Sequence, residues 1–350
     1  MLQYLSTSKT LFDHRIDFEQ VIVIRYQVAW APLNESLSSF MQLDHFVNSL
    51  GRDLKARYGE RVKKLTIHGN FTCPNRDGTL GKGGCTFCNV ASFADETQAQ
   101  QSVATQLALK SAEIKVKTAK YLAYFQAYTS TYGELMQLDS LYQQALAYRG
   151  IVGLCVGTRP DCVSDQVLAL LASYQQQGKE VWLELGLQTS NDKTLKRINR
   201  GHGWHEYQVI CEKARALGIK VCTHLIIGLP GEGMVDYQRT IEQVVDLGVD
   251  GLKLHPLHIV TGSTMAKSYQ AGRLTAISLE QYVEAAVMMI RHTPKDVVFH
   301  RVSATARKPT LIAPDWCEDR WLGMIAVAKA LSEYGAQGSA LAPKWHYLAA

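Results

Sequence analysis

The chain has 350 residues, of which 47% are hydrophobic and 20% are charged, and its formal net charge is +5. This length fits one large domain or two small ones, the composition is that of a folded globular protein, and no apolar run is long enough to cross a bilayer. The eight cysteines, together with the lack of a secretory signal pattern, predict reduced thiols and a cytoplasmic location.

Residues 1–40 differ from the rest of the chain because they show no sustained hydrophobic period. After Met41, apolar residues recur on one helical face from Leu43 to Leu54. We interpret residues 1–40 as an N-terminal extension that is dispensable or reflects a misassigned start. The alternative is an additional strand or helix that packs on the core.

From residue 63 onward, strand-like runs alternate with helical patterns. The predicted strands are 64–68, 121–126, 151–158, 181–188, 221–228 and 251–259, and the predicted helices are 97–117, 134–148, 165–177, 205–217, 234–247 and 279–291. This spacing is typical of βα units, and the nearly continuous apolar strands favour a parallel sheet that is covered on both faces.

Two α/β architectures fit this alternation, a doubly wound open sheet and a barrel. Polar residues follow the carboxyl ends of several different strands, as in barrels whose active site lies on that rim. We therefore predict a partial (β/α)6 TIM-like barrel over residues 41–292, with a C-terminal extension over residues 293–350 that packs on it.

Three cysteines lie on one glycine-rich loop directly after the first strand, namely Cys73, Cys85 and Cys88. A structural zinc site takes four ligands, whereas a 4Fe–4S cluster held by three cysteines keeps one iron open for a ligand. The loop glycines 78, 81, 83 and 84 allow the tight curl that returns Cys73 to the Cys85/Cys88 pair. A zinc site with a distant fourth ligand remains an alternative at this stage.

The three cysteines, with the aromatic Phe87 inside the second pair, resemble the radical S-adenosylmethionine (SAM) superfamily. Eleven residues separate Cys73 from Cys85, where three is usual, but longer spacings occur in the branch of the elongator catalytic subunit. Motifs at the ends of the third to fifth strands are similar to the same branch: Thr158-Arg-Pro-Asp161, Glu184-Leu-Gly-Leu-Gln-Thr189, Asn199-Arg-Gly-His202 and Gly228-Leu-Pro-Gly-Glu232.

Residues 41–340 further resemble a bacterial YhcC-type family within this superfamily. The segments that carry the match are Cys85-Thr-Phe-Cys-Asn-Val-Ala-Ser-Phe-Ala-Asp95, Tyr124-Phe-Gln-Ala-Tyr-Thr-Ser-Thr131 and Lys253-Leu-His-Pro-Leu-His-Ile-Val260. The resemblance implies an enzyme that uses a 4Fe–4S cluster to cleave SAM reductively to a 5′-deoxyadenosyl radical, which modifies an unknown substrate. It also implies a reductant such as flavodoxin or ferredoxin, and no membrane partner.

The resemblance also implies which residues contact SAM. The expected set is Phe87, Gln126, Thr129, Arg159, Glu184, Gln188, Arg200, His224 and Gly228. Gln188 and Arg200 match positions that contact SAM in the related oxygen-independent coproporphyrinogen oxidase, and a guanidinium can grip the methionyl carboxylate with two hydrogen bonds. Phe87 is expected beside the nucleobase.

Two of these positions depart from the superfamily pattern. The second strand usually ends in a Gly-Gly-Glu-like turn that binds the SAM amino group, whereas this chain has the segment from Gln126 to Thr129, so Gln126 or backbone carbonyls must serve. His224 replaces an acidic residue and is expected to bond a ribose hydroxyl or a backbone group. Arg159 is expected to hold an anion or to pair with Glu184.

The substrate is not readable from the sequence. Kinship with the elongator subunit makes tRNA a candidate, and basic residues that could meet phosphates cluster at Arg52, Lys55, Arg57, Arg61, Lys63 and Lys64. Acidic residues are interspersed among them, so a solvent-exposed amphipathic helix explains this cluster of basic residues equally well.

His255 and His258 are expected in substrate contact or in packing. The alternative function is that of a cluster-bearing, non-enzymatic scaffold or redox regulator that binds a metabolic enzyme.

Overall fold

The computed structural model describes residues 43–89, 96–114 and 118–341. Its strands are β1 Val62–Ile67, β2 Lys120–Phe125, β3 Ile151–Thr158, β4 Glu180–Gln188, β5 Lys220–Ile227, β6 Gly251–Pro256, β7 Ile259–Val260, β8 Val298–Arg301 and β9 Leu311–Ala313. Its α-helices are α1 Leu50–Tyr58, α2 Pro74–Asp77, α3 Val103–Ala112, α4 Leu135–Leu146, α5 Asp165–Gln176, α6 Asp192–Arg197, α7 Trp204–Ala216, α8 Met234–Asp246, α9 Thr264–Gln270, α10 Leu279–Arg291 and α11 Leu322–Tyr334. The predicted boundary at residue 40 lies outside this range.

Seven strands form one parallel sheet in the order β1-β2-β3-β4-β5-β6-β8. The sheet is curled, because side chains from its two edge strands meet inside it. Nζ of Lys64 on β1 lies 3.0 Å from Nδ1 of His300 on β8 and 2.5 Å from Oε1 of Glu184 on β4. The predicted α/β partial barrel is confirmed.

The barrel has a seventh strand that the sequence did not predict. Val298–Arg301 pairs with β6 in parallel, whereas this segment was assigned to the C-terminal extension. The strand has four residues, of which only the first two are buried. Its sequence therefore lacks the alternation of apolar and polar residues by which a strand is predicted. The backbone N–H of Phe299 also donates to the carbonyl of Asn48 at 2.8 Å, which ties the chain before α1 to this edge of the sheet.

One predicted helix is divided. The 97–117 pattern contains a 3-10 turn at Glu96–Gln100 and the helix α3, which begins after Ser102. The Ser102 hydroxyl accepts a hydrogen bond from the backbone N–H of Thr105 at 3.1 Å, and this N-cap starts a new helix. The helices predicted after it correspond to α4, α5, α7, α8 and α10.

The sheet is buried on both faces, as the apolar strands indicated. Every residue of β4 except the last is buried, and so is every residue of β3 except the second. The neighbouring strands β3 and β4 leave Gly153 no room for a side chain, since a Cβ there would lie 1.9 Å from the carbonyl oxygen of Glu180. Within the described residues, no helix is long and apolar enough to span a membrane.

Candidate active site

A cleft of about 460 Å³ opens at the carboxyl ends of the barrel strands. It brings together eleven of the twelve site residues that the sequence predicted: Cys73, Cys85, Cys88, Phe87, Gln126, Thr129, Arg159, Glu184, Gln188, Arg200 and His224. Gly228 is not among the lining residues. Its N–H donates to the Tyr237 hydroxyl at 3.0 Å, and a Cβ on it would press against Ile277 at 3.1 Å.

The cysteine loop is shaped by glycine and held by a distant segment. Gly78, Gly83 and Gly84 have φ values of 96°, 80° and 74°, which glycine adopts without steric cost. The side-chain amide of Asn75 donates to the carbonyl of Asn199 at 2.6 Å, and that of Asn199 donates to the carbonyl of Gly84 at 2.8 Å. The loop is therefore positioned by the segment after α6, which also carries Arg200.

The three loop thiols are not all as close together as the ligands of one zinc ion. Sulfur ligands of tetrahedral zinc, each at about 2.3 Å, lie about 3.8 Å apart. Among the described residues, the only three metal-ligating side chains whose donor atoms all lie within 4.8 Å of one another are Glu184, Cys222 and His300, so at least one pair of the loop sulfurs lies further apart than 4.8 Å. The cleft lining of the described chain includes no fourth cysteine.

Two hydrogen-bond donors lie beside the sulfur of Cys85, one of the predicted cluster ligands. Nη1 of Arg200 lies 3.4 Å from Sγ of Cys85, and the side-chain amide of Asn75 lies 3.7 Å from it. N–H groups that donate to a thiolate stabilise its charge and tune the potential of a cluster bound to it. The rest of the Arg200 guanidinium donates to the carbonyl of Gly186, with Nη2 at 2.5 Å.

Three buried polar atoms on the cleft have no partner in the described structure, namely Oγ1 of Thr129, Nη1 of Arg159 and Nε2 of His258. Buried polar groups are nearly always hydrogen-bonded, so unpartnered ones in a cleft point to a polar ligand. The other nitrogens of Arg159 bond Asp161, with Nη2 at 2.7 Å from Oδ2. The pairing of Arg159 with Glu184 that the sequence left open is not formed.

Gln188 stands in a strained backbone conformation at the end of β4. Its φ is 82°, which is uncommon for a residue with a Cβ, and the register with β5 shifts between Gly186 and Gln188. Tyr128, also on the cleft, has a φ of 60°. Such conformations persist where the surroundings impose them, often at functional sites.

The floor of the cleft holds a buried charge cluster around Glu184. This fully buried carboxylate contacts Lys64, Lys253, His224 and His300. Burial alone would raise the pKa of Glu184, but the charges of Lys253 and Lys64 outweigh it and hold that pKa well below its usual range. Nε2 of His224 lies 2.8 Å from Oε2 of Glu184, a partner that the sequence did not predict.

The trio of Glu184, Cys222 and His300 has donor atoms close enough for a metal ion, but a lysine occupies the position. Nζ of Lys64 lies within hydrogen-bond distance of both Glu184 and His300. An ammonium there repels a cation. We assign this trio to the charge cluster and not to a metal site.

Tyr124, Lys253 and Arg301 line the cleft and were missed as site candidates, and His255 and His258, which were expected in substrate contact or in packing, line it too. Lys253 and His255 alternate with leucines along β6, and this period-two pattern was the available signal. Arg301 gave no signal, because the short strand that carries it was not recognised.

Comparisons with known proteins show the family of this chain. The Radical SAM superfamily pattern matches residues 73–244, and the Radical_SAM C-terminal domain pattern matches residues 249–333. Protein YhcC of Escherichia coli (strain K12) is 61% identical over 305 residues, which are 87% of this chain and 98% of that protein.

The elongator relationship is more distant. Elongator complex protein 3 of Mus musculus is 28% identical over 167 residues, which are 45% of this chain and 29% of that protein. The structure of archaeal Methanocaldococcus infernus Elp3 with residues 1–46 deleted superimposes with a TM-score of 0.61 at 18% identity, over 79% of this chain and 64% of that one. This structural similarity concerns the fold.

Proposed function

This chain belongs to the radical SAM superfamily and is an enzyme, and we propose that Cys73, Cys85 and Cys88 hold a 4Fe–4S cluster that acts on SAM. One observation carries the proposal: the three thiols share a cleft with the buried, unpartnered atoms of Thr129 and Arg159. When bound, the reduced cluster supplies the electron that cleaves SAM to methionine and a 5′-deoxyadenosyl radical. The non-enzymatic scaffold is not supported.

The polar residues of the cleft suit the two ends of SAM's methionine. The free Nη1 of Arg159 can donate to the carboxylate, and the hydroxyl of Thr129 and the amide of Gln126 can accept from the amino group. Arg200 contributes by holding the Cys85 sulfur and the end of β4 in place, and its guanidinium also borders the cleft. Gln188 remains a proposed SAM contact at the strained strand end.

An apolar wall suits the adenosine and keeps water from the reacting centre. Phe87 packs beside Ile226 and Leu257, which also line the cleft. The backbone N–H of Thr86, next to it, donates to the carbonyl of Ile198 at 2.9 Å, so the ring is held by its neighbours. Exclusion of water protects a reactive radical from side reactions.

A tRNA substrate and a flavodoxin or ferredoxin reductant belong to the same proposal. Of the six clustered basic residues, Lys64 is half-buried and paired with Glu184, and Arg57 is paired with Glu180 and Asp53. The other four line an open groove of about 620 Å³ near the amino end of β1: Arg52, Lys55, Arg61 and Lys63. A groove of this charge can meet phosphates, and it lies at the end of β1 remote from the cysteine loop.

Anaerobic reconstitution tests the cluster ligands. The wild type should bind about four irons and four sulfides per chain, as one cubane on three thiolates implies. Cys88→Ala should lose this iron, and Cys211→Ala, which removes a buried thiol on α7 away from the cleft, should keep it. The reduced wild type should then release 5′-deoxyadenosine from SAM. Retention of the full cluster in Cys88→Ala would contradict the proposal.

A further inference from the structure

The part of the cleft built from β6 and β8 carries polar side chains that the SAM proposal does not use. Lys253 and His255 point into it from β6, His258 follows β6, and Arg301 ends β8. The two imidazole rings are in edge contact, with centroids 4.6 Å apart. These four residues form what we call the basic wall.

The positive charges in and beside the basic wall outnumber the carboxylates that could balance them. Lys64 and Lys253 share a single carboxylate, that of Glu184. In the described part of the chain, Arg301 is exposed and has no carboxylate within ion-pair distance. Glu184 is also the one carboxylate among the described residues that line the cleft. The unbalanced charge therefore faces the cavity.

The histidines of the basic wall add hydrogen-bonding capacity. Nε2 of His258 is buried without a partner in the described structure. Nδ1 of His255 lies 2.6 Å from the carbonyl of Pro256 and donates to it, which leaves Nε2 as the titrating atom. Burial and the charge of Arg301 keep the pKa of His258 low, at about 4, so the ring is neutral until an anion offsets that charge.

We propose that the basic wall binds an anionic group of the substrate, a phosphate or a carboxylate. The inference rests on the proposed function, because it takes SAM to occupy the cysteine side of the cleft. Arg301 offers a planar fork that matches either oxyanion, and Lys253 offers a point charge behind it. The substrate is thus an anionic molecule whose charged end is held at β6 and β8.

Isothermal titration with two simple probes, inorganic phosphate and glutarate, tests the site and separates the two chemistries. The titrations use the anaerobically reconstituted full chain, with and without saturating SAM. The wild type should bind one probe better than the other, and Arg301→Gln should weaken that probe about tenfold, the effect of losing one charge-assisted contact. The matched control is Arg149→Gln, which removes an exposed arginine just before β3, at the other end of the strands.

Weakening in Arg301→Gln alone, with SAM present, supports the proposal. Equal affinity in the two variants, or no binding of either probe by the wild type, overturns it. Displacement of the probe by SAM also overturns it, because the basic wall would then belong to the SAM site. Iron content and SAM affinity, measured on the same samples, report on the proposed function separately.

Discussion

Glu184 is the residue on which the interior of the barrel depends most. Its buried carboxylate offsets two lysines and lies within hydrogen-bond distance of two histidines. Burial lowers the pKa of Lys253 to about 8, against the opposing effect of Glu184. Without that carboxylate, both ammonium groups would be buried without compensation.

Glu184→Gln should therefore be strongly destabilising. Breaking a buried ion pair by removing one partner costs about 3–5 kcal/mol. Denaturant unfolding monitored by circular dichroism measures the loss. The control is Glu284→Gln, an exposed position on α10, which should change the free energy of unfolding by less than about 0.5 kcal/mol. Equal stability of the two variants would show that the interior charges are balanced in another way.

SAM affinity can separate the roles of Arg159 and Arg200, the two cleft arginines that are expected to act on SAM. Arg159→Met should weaken SAM binding about ten- to a hundredfold, because the free Nη1 is lost. Arg200→Ala is expected to weaken it by a similar factor while the iron content is retained. Equilibrium dialysis with labelled SAM measures both. If only Arg200→Ala weakens binding, Arg159 serves to hold Asp161 and not SAM.

Between elements, β3 and β4 leave no room for a side chain at Gly153. Gly153 lies against the backbone of Glu180, and backbone cannot move aside as a flexible side chain can. A strand packed this closely accepts glycine alone. The sequence does not show this, because Gly153 stands in an apolar run that any small residue would continue.

Gly153→Ala should cost at least about 3 kcal/mol of stability, the upper range for overpacking. Gly51→Ala is the matched control, since Gly51 lies in α1 with open space around its Cβ position. Alanine there should raise the free energy of unfolding by up to about 1 kcal/mol, through helix propensity. Thermal unfolding of both variants gives the comparison, and a stable Gly153→Ala would mean that β3 can shift along β4.

At the scale of the whole molecule, the buried histidines make stability depend on pH. Burial, with Lys64 adding to it, lowers the pKa of His300 to about 3, and burial lowers that of His224 to about 4. Unfolded histidine titrates near 6.5. Between those values the unfolded chain binds the proton and the folded chain does not, so stability falls as the pH drops below 6.5.

Each such histidine should contribute a slope of about 1.4 kcal/mol per pH unit between pH 6.5 and its folded pKa. Urea unfolding of the anaerobic protein at pH 7.5, 6.5 and 5.5 measures the slope below 6.5. His300→Gln should reduce the slope by about 1.4 kcal/mol per pH unit, which is the contribution of one proton. An unchanged slope in that variant would indicate that His300 is protonated in the folded protein, as a partner of Glu184.

What the sequence determined was local. The superfamily and the partial barrel were predicted from the cysteine spacing, the strand-end motifs and the alternation of strands and helices. This was possible because a ligand loop and a βα unit are each encoded within a few dozen consecutive residues. The same motifs named eleven residues that the fold brings to one cleft.

The tertiary structure decided the contacts between residues far apart in the chain. The hydrogen bond from Arg200 to Cys85 and the grouping of the basic wall both depend on how the sheet curls. The short strand β8 exists because β6 offers it an edge, not because its four residues favour a strand. Such partners are chosen by packing across the barrel, and no local pattern in the sequence records that choice.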